Sequence, residues 1–502
     1  VYMRSNWRKQ MMISALALTL SATNVAPVFA SAAPDGKTNA ADIAQTMGTT
    51  AQWNRWEKEW ETLKNDWTQI SLSPGSNATE LNFAWYTPKQ TNDDHSNANV
   101  PKLIIGEGHN MKNAKVYEAE QTAVKDEQDN NGETYNSNKV TATGLKENKT
   151  YYYSYDNGNG YTKPAEYTTK STNNFSFAFV GDPQIGSSNE LKGKDTKEFY
   201  DAQSNAVKSD AFNWSSTLNA ALEKTDDQLS FVVSAGDQIQ TTKKKLPNKD
   251  ASKSEIEYTG YLSPEALKSL PVATTVGNHD ADNANYTYHF NRTNASELGS
   301  NKVVGGDYYF KYGNALFIML NTQDTNVAEH KQFIEQTVAA NKDCKWRIVT
   351  LHQDIYGSGY DHSDSDGMVL RTQLTPLMDK YDIDVVLQGH DHTYSRTYQL
   401  QSDGQAHDKF AKTENTANYA KENNCYEIVD TTKGGTVVNP KGTVYLEANS
   451  ATGSKFYNLI TAKQDFISER SQTWTPSYSV VNVTDDSFEV TTYDADTGKV
   501  LD

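Results

Sequence analysis

Residues 384–396 read DVVLQGHDHTYSR. An apolar run closes on Gly389, and His390, Asp391 and His392 follow at once. A short run of this kind reads as a strand covered on both faces, and a glycine lets the chain turn sharply at its end. The same grammar recurs upstream. FSFAFV (175–180) runs into Gly181-Asp182-Pro183-Gln184, and LSFVVSA (229–235) into Gly236-Asp237-Gln238. PVATTV (271–276) runs into Gly277-Asn278-His279-Asp280, and WRIVTL (346–351) into His352. ALFIML (315–320) is a further run, and SSTLNAALEK (215–224) and LRTQLTPLMDKY (370–381) read as intervening helices. This alternation predicts an α/β architecture. In an open sheet of that kind the carboxyl ends of parallel strands lie side by side. Clusters far apart in the chain are therefore expected on one rim.

Two aspartates, one asparagine and three histidines meeting on a rim make an oxygen and nitrogen donor set. It suits zinc, iron or manganese, and the lack of thiolate argues against a soft-metal site. The set is too large for one ion with an open position. It suits two ions sharing a carboxylate, a pair that clamps a phosphoryl group and makes a nucleophile at neutral pH. Each cluster alone is a weak signal; their order and their strand context together are strong.

GDPQ, GDQ, GNHD, LHQ and GHDH stand in the order GD, GD, GNH, H, GHxH. That order resembles the signature of the calcineurin-like metallophosphoesterase superfamily. VTATGLKENKTYYYSY (140–155), GDYYFKYGNALFIMLNT (306–322), GHDHTYSR (389–396) and YSVVNVTDDSFEVTTYDADTG (478–498) resemble, more narrowly, its purple acid phosphatase branch. The likeness runs from about residue 70 to the end. It implies a four-layer α/β sandwich of two sheets flanked by helices, preceded by an all-β fibronectin-III-like sandwich. It also implies that Asp182 and His392 hold one metal, that Asp237 bridges, and that Asn278, His352 and His390 hold the other. The cofactor implied is two divalent or trivalent ions, iron, zinc or manganese. The reaction implied is in-line attack of a metal-bound hydroxide on a phosphate monoester, as in acid phosphatases. His279 and Tyr356 are expected at the substrate. His362 falls near the histidine that protonates the leaving group, a task suited to a pKa near operating pH.

Three departures stand out. The purple branch has an iron-binding tyrosine three residues after the bridging aspartate, and this chain has Gln240. Gln184 stands where other branches carry a metal-binding histidine. Either glutamine is a candidate metal ligand or a neighbour of one. Asp354 replaces a common proline two residues after His352.

The remaining sequence sets limits. Arg4, Arg8 and Lys9 precede the apolar core MISALALTL (12–20) and the small-residue stretch VFASAA (28–33). This reads as an export signal over 1–32, cleaved after Ala30 or Ala32. The core is shorter than the roughly 20 residues a membrane span needs. A secreted or envelope protein without a transmembrane anchor is expected. The formal charge of −17 argues against nucleic acid as a primary partner; the oligomeric state is not legible. Cys344 and Cys425 allow one disulfide or two free thiols.

Residues 33–69 read as a leader and then a helix on which Trp53, Trp56, Trp60, Leu63 and Trp67 form one stripe, packed on its own protein. Alternating strands at 79–87, 114–121, 138–145, 149–156 and 165–171 place a small β-sandwich within 70–172. Its tyrosine-rich strand is read as packed. The catalytic unit is 173–502, with a polar surface insertion at 401–440 and C-terminal strands, a hairpin turning at 484–486, within 476–502. The run Lys243-Lys244-Lys245 reads as a solvated loop. Two rival readings stand beside the monoesterase: a phosphodiesterase or nucleotidase on the same site, and a non-catalytic cell-envelope binding protein.

Overall fold

The computed structural model describes residues 47–89, 100–125, 127–188, 194–298, 303–360, 362–363, 366–407, 424–431 and 435–502. The expected signal and most of the leader lie outside these.

The first sheet pair is all antiparallel. One sheet orders Ser71–Pro74, Leu81–Pro88, Tyr135–Ala142 and Glu120–Ala123; the other orders Lys115–Glu118, Lys102–Gly106, Thr150–Tyr155 and Ala165–Thr168. Phe83, Trp85, Leu103, Ile105, Val140 and Tyr153 fill the space between them. The alternating run at 114–121, read as one strand, breaks at Ala119 and serves both sheets. Ala119 is buried in the shared core, and its N–H donates to Pro101 O, so the chain crosses between layers there. Tyr151 and Tyr153 of the tyrosine-rich strand are buried, and the Tyr153 hydroxyl donates to Lys268 O at 2.7 Å, tying the sandwich to the second unit.

The second unit has two facing sheets. A five-stranded sheet orders Val272–Thr274, Leu229–Ser234, Phe175–Val180, Ser477–Val483 and Phe488–Asp494, the first three parallel. A seven-stranded sheet orders Tyr308–Tyr312, Ala315–Met319, Trp346–Thr350, Val385–Gln388, Val444–Glu447, Tyr394–Thr397 and Ile467–Ser471, with four parallel strands from Ala315–Met319 to Val444–Glu447. The alternation of side chains across each strand builds four layers. Phe175, Phe177 and Phe179 face the other sheet, while Ala178 and Val180 face the helix side. Phe317 and Met319 meet the first set, while Leu316 and Ile318 cover the helix side of the second sheet. Phe177, Phe231 and Phe317 lock the interface with ring centroids 5.2–5.3 Å apart. The C-terminal hairpin, turning where expected, lies against Phe175–Val180.

The tryptophan helix spans Thr50–Leu63 and starts in a capping box between Thr49 and Gln52. It packs on the long helix Lys197–Lys224: Trp53 meets Phe212 at 5.2 Å, and the indole nitrogens of Trp56 and Trp60 donate to Lys208 O and Ser204 Oγ. Trp67 leaves the expected stripe. It lies past the helix end and packs on Tyr135 at 5.0 Å. The expected surface insertion at 401–440 carries paired strands at its described ends. Gln399–Ser402 and Tyr426–Asp430 pair as a two-stranded sheet, and Leu400 and Cys425 are buried. A few well-spaced apolar residues suffice to cover a core edge despite the polar composition; residues 408–423 and 432–434 lie outside the described set. Cys344 and Cys425 are both buried free thiols.

Candidate metal centre

Five strands deliver their following residues to one cleft: Asp182 after Phe175–Val180, Asp237 after Leu229–Ser234, Asn278 after Val272–Thr274, His352 after Trp346–Thr350, and His390 with His392 after Val385–Gln388. The turns are tight. Asp182, Gln184, Asp237, His390 and His392 all have positive φ, between 39° and 79°, a conformation that costs non-glycine residues on the order of 1 kcal/mol or more each. Gly236, at φ +110°, could not carry a side chain: a Cβ there would lie 2.5 Å from His352 Nδ1. A Cβ on Gly277 would lie 2.0 Å from Asp237 Oδ1. These glycines are set by close approach of the loops that carry the donors.

The orientation of the histidines is fixed from behind. His352 Nδ1 meets Ala235 O at 2.9 Å, and His392 Nδ1 meets Lys455 O at 2.7 Å. A carbonyl only accepts, so both Nδ1 atoms carry a proton and both rings turn Nε2 to the cleft, the nitrogen whose lone pair a metal would take. His352 Nε2 there faces Asn278 Oδ1 at 2.9 Å and Asp237 Oδ2 at 3.5 Å. His392 Nε2 faces Asp182 Oδ1 at 3.4 Å. Lone pairs meeting oxygen acceptors repel unless a proton or cation stands between them. Asp237, His352 and His390 can offer ligand atoms all within 4.8 Å of one another. Asp182 Oδ1 and Gln184 Oε1 are buried and accept no hydrogen bond among the described residues. The donor set therefore fits cations.

The electrostatics agree. Burial opposes the charge of Asp182, but His392 and His352 outweigh it and hold the carboxyl below its usual range. Burial, then the charge of Asp182, pushes Asp237 up to about 8. Two aspartates whose pKa values are driven apart share a cleft that is short of positive charge.

His279 donates its N–H to Asp237 Oδ1 at 2.8 Å, its Nδ1 is bonded to Gln240 O, and its Nε2 lies 4.0 Å from Asp237 Oδ2. Burial above all, with the Lys455 ammonium next, keeps it neutral. The His362 ring stacks on His390 with centroids 3.7 Å apart, and its backbone N–H is held by the Asp391 carboxylate. Gln184 Nε2 donates to Gln240 Oε1 at 2.8 Å, so Gln240 orients Gln184 and leaves the Gln184 oxygen unused. Tyr356 is not at the cleft as expected. Its side chain is fully buried against Tyr445 and Phe466, with the hydroxyl on Thr375. A position in the loop after His352 does not fix which way a ring turns. Asp354 is buried and accepts from Ser363 Oγ, bracing that loop where the resemblance placed a proline.

Sequence reasoning missed Asp280, whose carboxylate accepts from Gly277 N and Gln238 N and locks two donor loops together. It also missed the strand Val444–Glu447 and the loop after it, which brings Lys455 and Tyr457 to the cleft. The signal was present: TVYLE (443–447) followed by ANS repeats the grammar of an apolar run ending in polar residues.

Residues 175–394 match the calcineurin-like phosphoesterase family, and residues 67–176 match the purple acid phosphatase N-terminal domain. The chain is similar to purple acid phosphatase 1 of Ipomoea batatas, 28% identical over 149 residues, which are 28% of this chain and 31% of that protein. It is similar to Fe(3+)-Zn(2+) purple acid phosphatase 12 of Arabidopsis thaliana, 24% identical over 164 residues, 30% of this chain and 34% of that one. The match thus spans about a third of the length of these relatives. A solved purple acid phosphatase from yellow lupin (Lupinus luteus) seeds shares the fold, with a TM-score of 0.58 at 14% identity over 87% of this chain and 74% of that one. Among the described residues no helix is long and apolar enough to cross a membrane.

Proposed function

We propose, from the premise that this chain carries a calcineurin-like phosphoesterase domain behind a purple acid phosphatase N-terminal domain, that it is a binuclear-metal hydrolase of phosphate monoesters. The observation that carries this reading is the pair of Nε2 lone pairs turned onto Asp182, Asp237 and Asn278 oxygens by backbone carbonyls behind the rings. Asp182 and His392 would hold one ion, with the Gln184 oxygen beside them. Asn278, His352 and His390 would hold the other, and Asp237 would bridge. Bound there, two ions supply charge neutralisation at phosphorus and a nucleophile at neutral pH.

The chain's own groups do the rest. His279, pinned through Nδ1 on Gln240 O, sets Nε2 at the cleft, where it donates to a phosphoryl oxygen only when that nitrogen is protonated. His362, stacked on His390 with its backbone held by Asp391, is the group for a proton to the leaving oxygen. Iron, zinc and manganese all suit the donors. Gln240 stands where the resemblance expects the iron-binding tyrosine, so that position supplies no tyrosinate to the ion at Asp182. The basic and apolar pattern of residues 1–32 supports export to the envelope or beyond.

The test is hydrolysis of a chromogenic phosphate monoester and the matching diester by purified protein, after chelation and after adding back zinc, manganese or iron. Metal-restored hydrolysis with the monoester preferred is expected. Diester preference would move the assignment to a phosphodiesterase. Folded protein inert with every metal would move it to a binding module.

A further inference from the structure

We propose that Lys455 is a substrate-contacting residue that holds a non-bridging oxygen of a dianionic phosphate monoester, with Tyr457 as its platform. This deepens the phosphoesterase reading and rests on it. The Lys455 ammonium stands 4.8 Å from the centre of the Tyr457 ring. That ring lies 5.1 Å from His392 and 6.0 Å from His362, between the candidate metal ligand and the candidate proton donor. The lysine is half-buried.

The loop that carries it is built in place. Ala451 N donates to Gly181 O at 2.8 Å, Thr452 Oγ1 to Pro183 O at 2.7 Å, and Ser454 Oγ to Gln184 O at 3.3 Å. The loop is thus fastened along the backbone of the first aspartate's turn, and Lys455 O in turn orients His392. From behind, Asn213 Nδ2 donates to Thr452 O and Thr217 Oγ1 to Ala451 O. A lysine on a loop tied at this many points loses less freedom on binding an anion. Its field already reaches the cleft: burial raises Asp237, and Lys455 is among the charges that offset this.

Charge balance selects the ligand. Of the six candidate ligands only Asp182 and Asp237 are anionic. Two divalent ions would bring four positive charges against those two, and Lys455 adds another. A cation placed beside such a centre favours an anion joining it. A monoester dianion neutralises twice the excess that a diester monoanion does.

The test uses metal-loaded protein and the variants Lys455→Met and Lys455→Arg. Both keep the backbone carbonyl that holds His392. Inorganic phosphate is titrated calorimetrically, and KM and kcat are measured for a monoester and a diester. Loss of a charge-assisted contact predicts about 10- to 100-fold weaker phosphate binding in Lys455→Met. The monoester KM rises by a similar factor, the diester changes far less, and Lys455→Arg recovers most of the loss. Unchanged phosphate affinity, or equal losses on both esters, overturns the assignment while wild-type turnover leaves the phosphoesterase reading standing. No wild-type turnover, with phosphate affinity still lost in Lys455→Met, overturns that reading and keeps the lysine as an anion-binding group.

Discussion

Asp182 and Asp237 sit among histidines, while Asp354, Asp391 and Glu447 sit among hydroxyls and amides, although the latter three are equally buried and can bring carboxylate oxygens within 4.8 Å of one another. Glu447 accepts from Ser358 N at 3.0 Å, Thr393 Oγ1 at 2.9 Å and Ser395 Oγ at 2.8 Å. Asp391 accepts from His362 N and Ser363 N, and shares the Ser363 hydroxyl with Asp354. In the first group, nitrogen lone pairs face oxygens, and Asp182 Oδ1 accepts nothing among the described residues. Proximity of acids is therefore a poor guide to a cation. What sets Asp391 and Glu447 apart from the first group is that protein donors already answer their acceptors. The second group reads as a brace that ties the His362 loop to the loop carrying His390 and His392.

The sharpest way to break this comparison is to remove one member from each group. Asn278→Ala or His390→Ala should lower turnover about a thousandfold, by analogy with losing one preorganised stabilising group, with the circular dichroism spectrum unchanged. Ser395→Ala should leave turnover within about tenfold but lower the melting temperature, since the buried Glu447 carboxyl group loses a donor at a cost of about 1–3 kcal/mol. Equal losses of activity from both would erase the distinction.

Metal removal tests the same contrast on stability. Zinc or manganese at a hundredfold excess over its dissociation constant should stabilise chelated wild-type protein by about 2.7 kcal/mol, read as a rise in melting temperature. Asp237→Ala should lose most of that rise, and Asp354→Asn should keep it. Iron-loaded protein should show no tyrosinate band in the visible spectrum, because residue 240 is glutamine. A purple sample would mean that another tyrosine reaches the ion.

The rim was legible because each of its strands is an apolar run that stops at a polar cluster, most of them at a glycine, and parallel strands bring such ends together whatever the intervening chain. Gly236 and Gly277 mark the tightest of those turns. Tertiary events were not legible. Nothing local in 114–121 says that Ala119 passes from one sheet to the other, and helical spacing alone assigned Trp67 to a helix that ends at Leu63. The direction of the Tyr356 ring depends on Tyr445 and Phe466, each distant in sequence. Lys455 reaches the cleft only through bonds from its loop to the turn at 181–184.

The smallest expected effect concerns how the brace is charged. Burial first, then the charge of Asp391, raises Glu447 from its ordinary 4.5 to about 8. Asp391 is itself raised by burial, and Asp354 completes the acids facing it. At neutral pH Glu447 therefore holds a proton in the folded chain that it would release on unfolding. Below about pH 4.5 it is neutral in both states and costs nothing. As pH rises towards 8 the unfolded state is favoured by its ionised carboxylate, and the stability present at low pH is lost. Glutamine cannot ionise, so the stability of Glu447→Gln relative to wild type should grow between pH 5 and pH 9, on the order of 1–3 kcal/mol. Denaturant melts of both proteins across that range would read it. A constant difference would mean that Glu447 is ionised in the fold, and the brace would then need a cation of its own, which would collapse the contrast between the two groups.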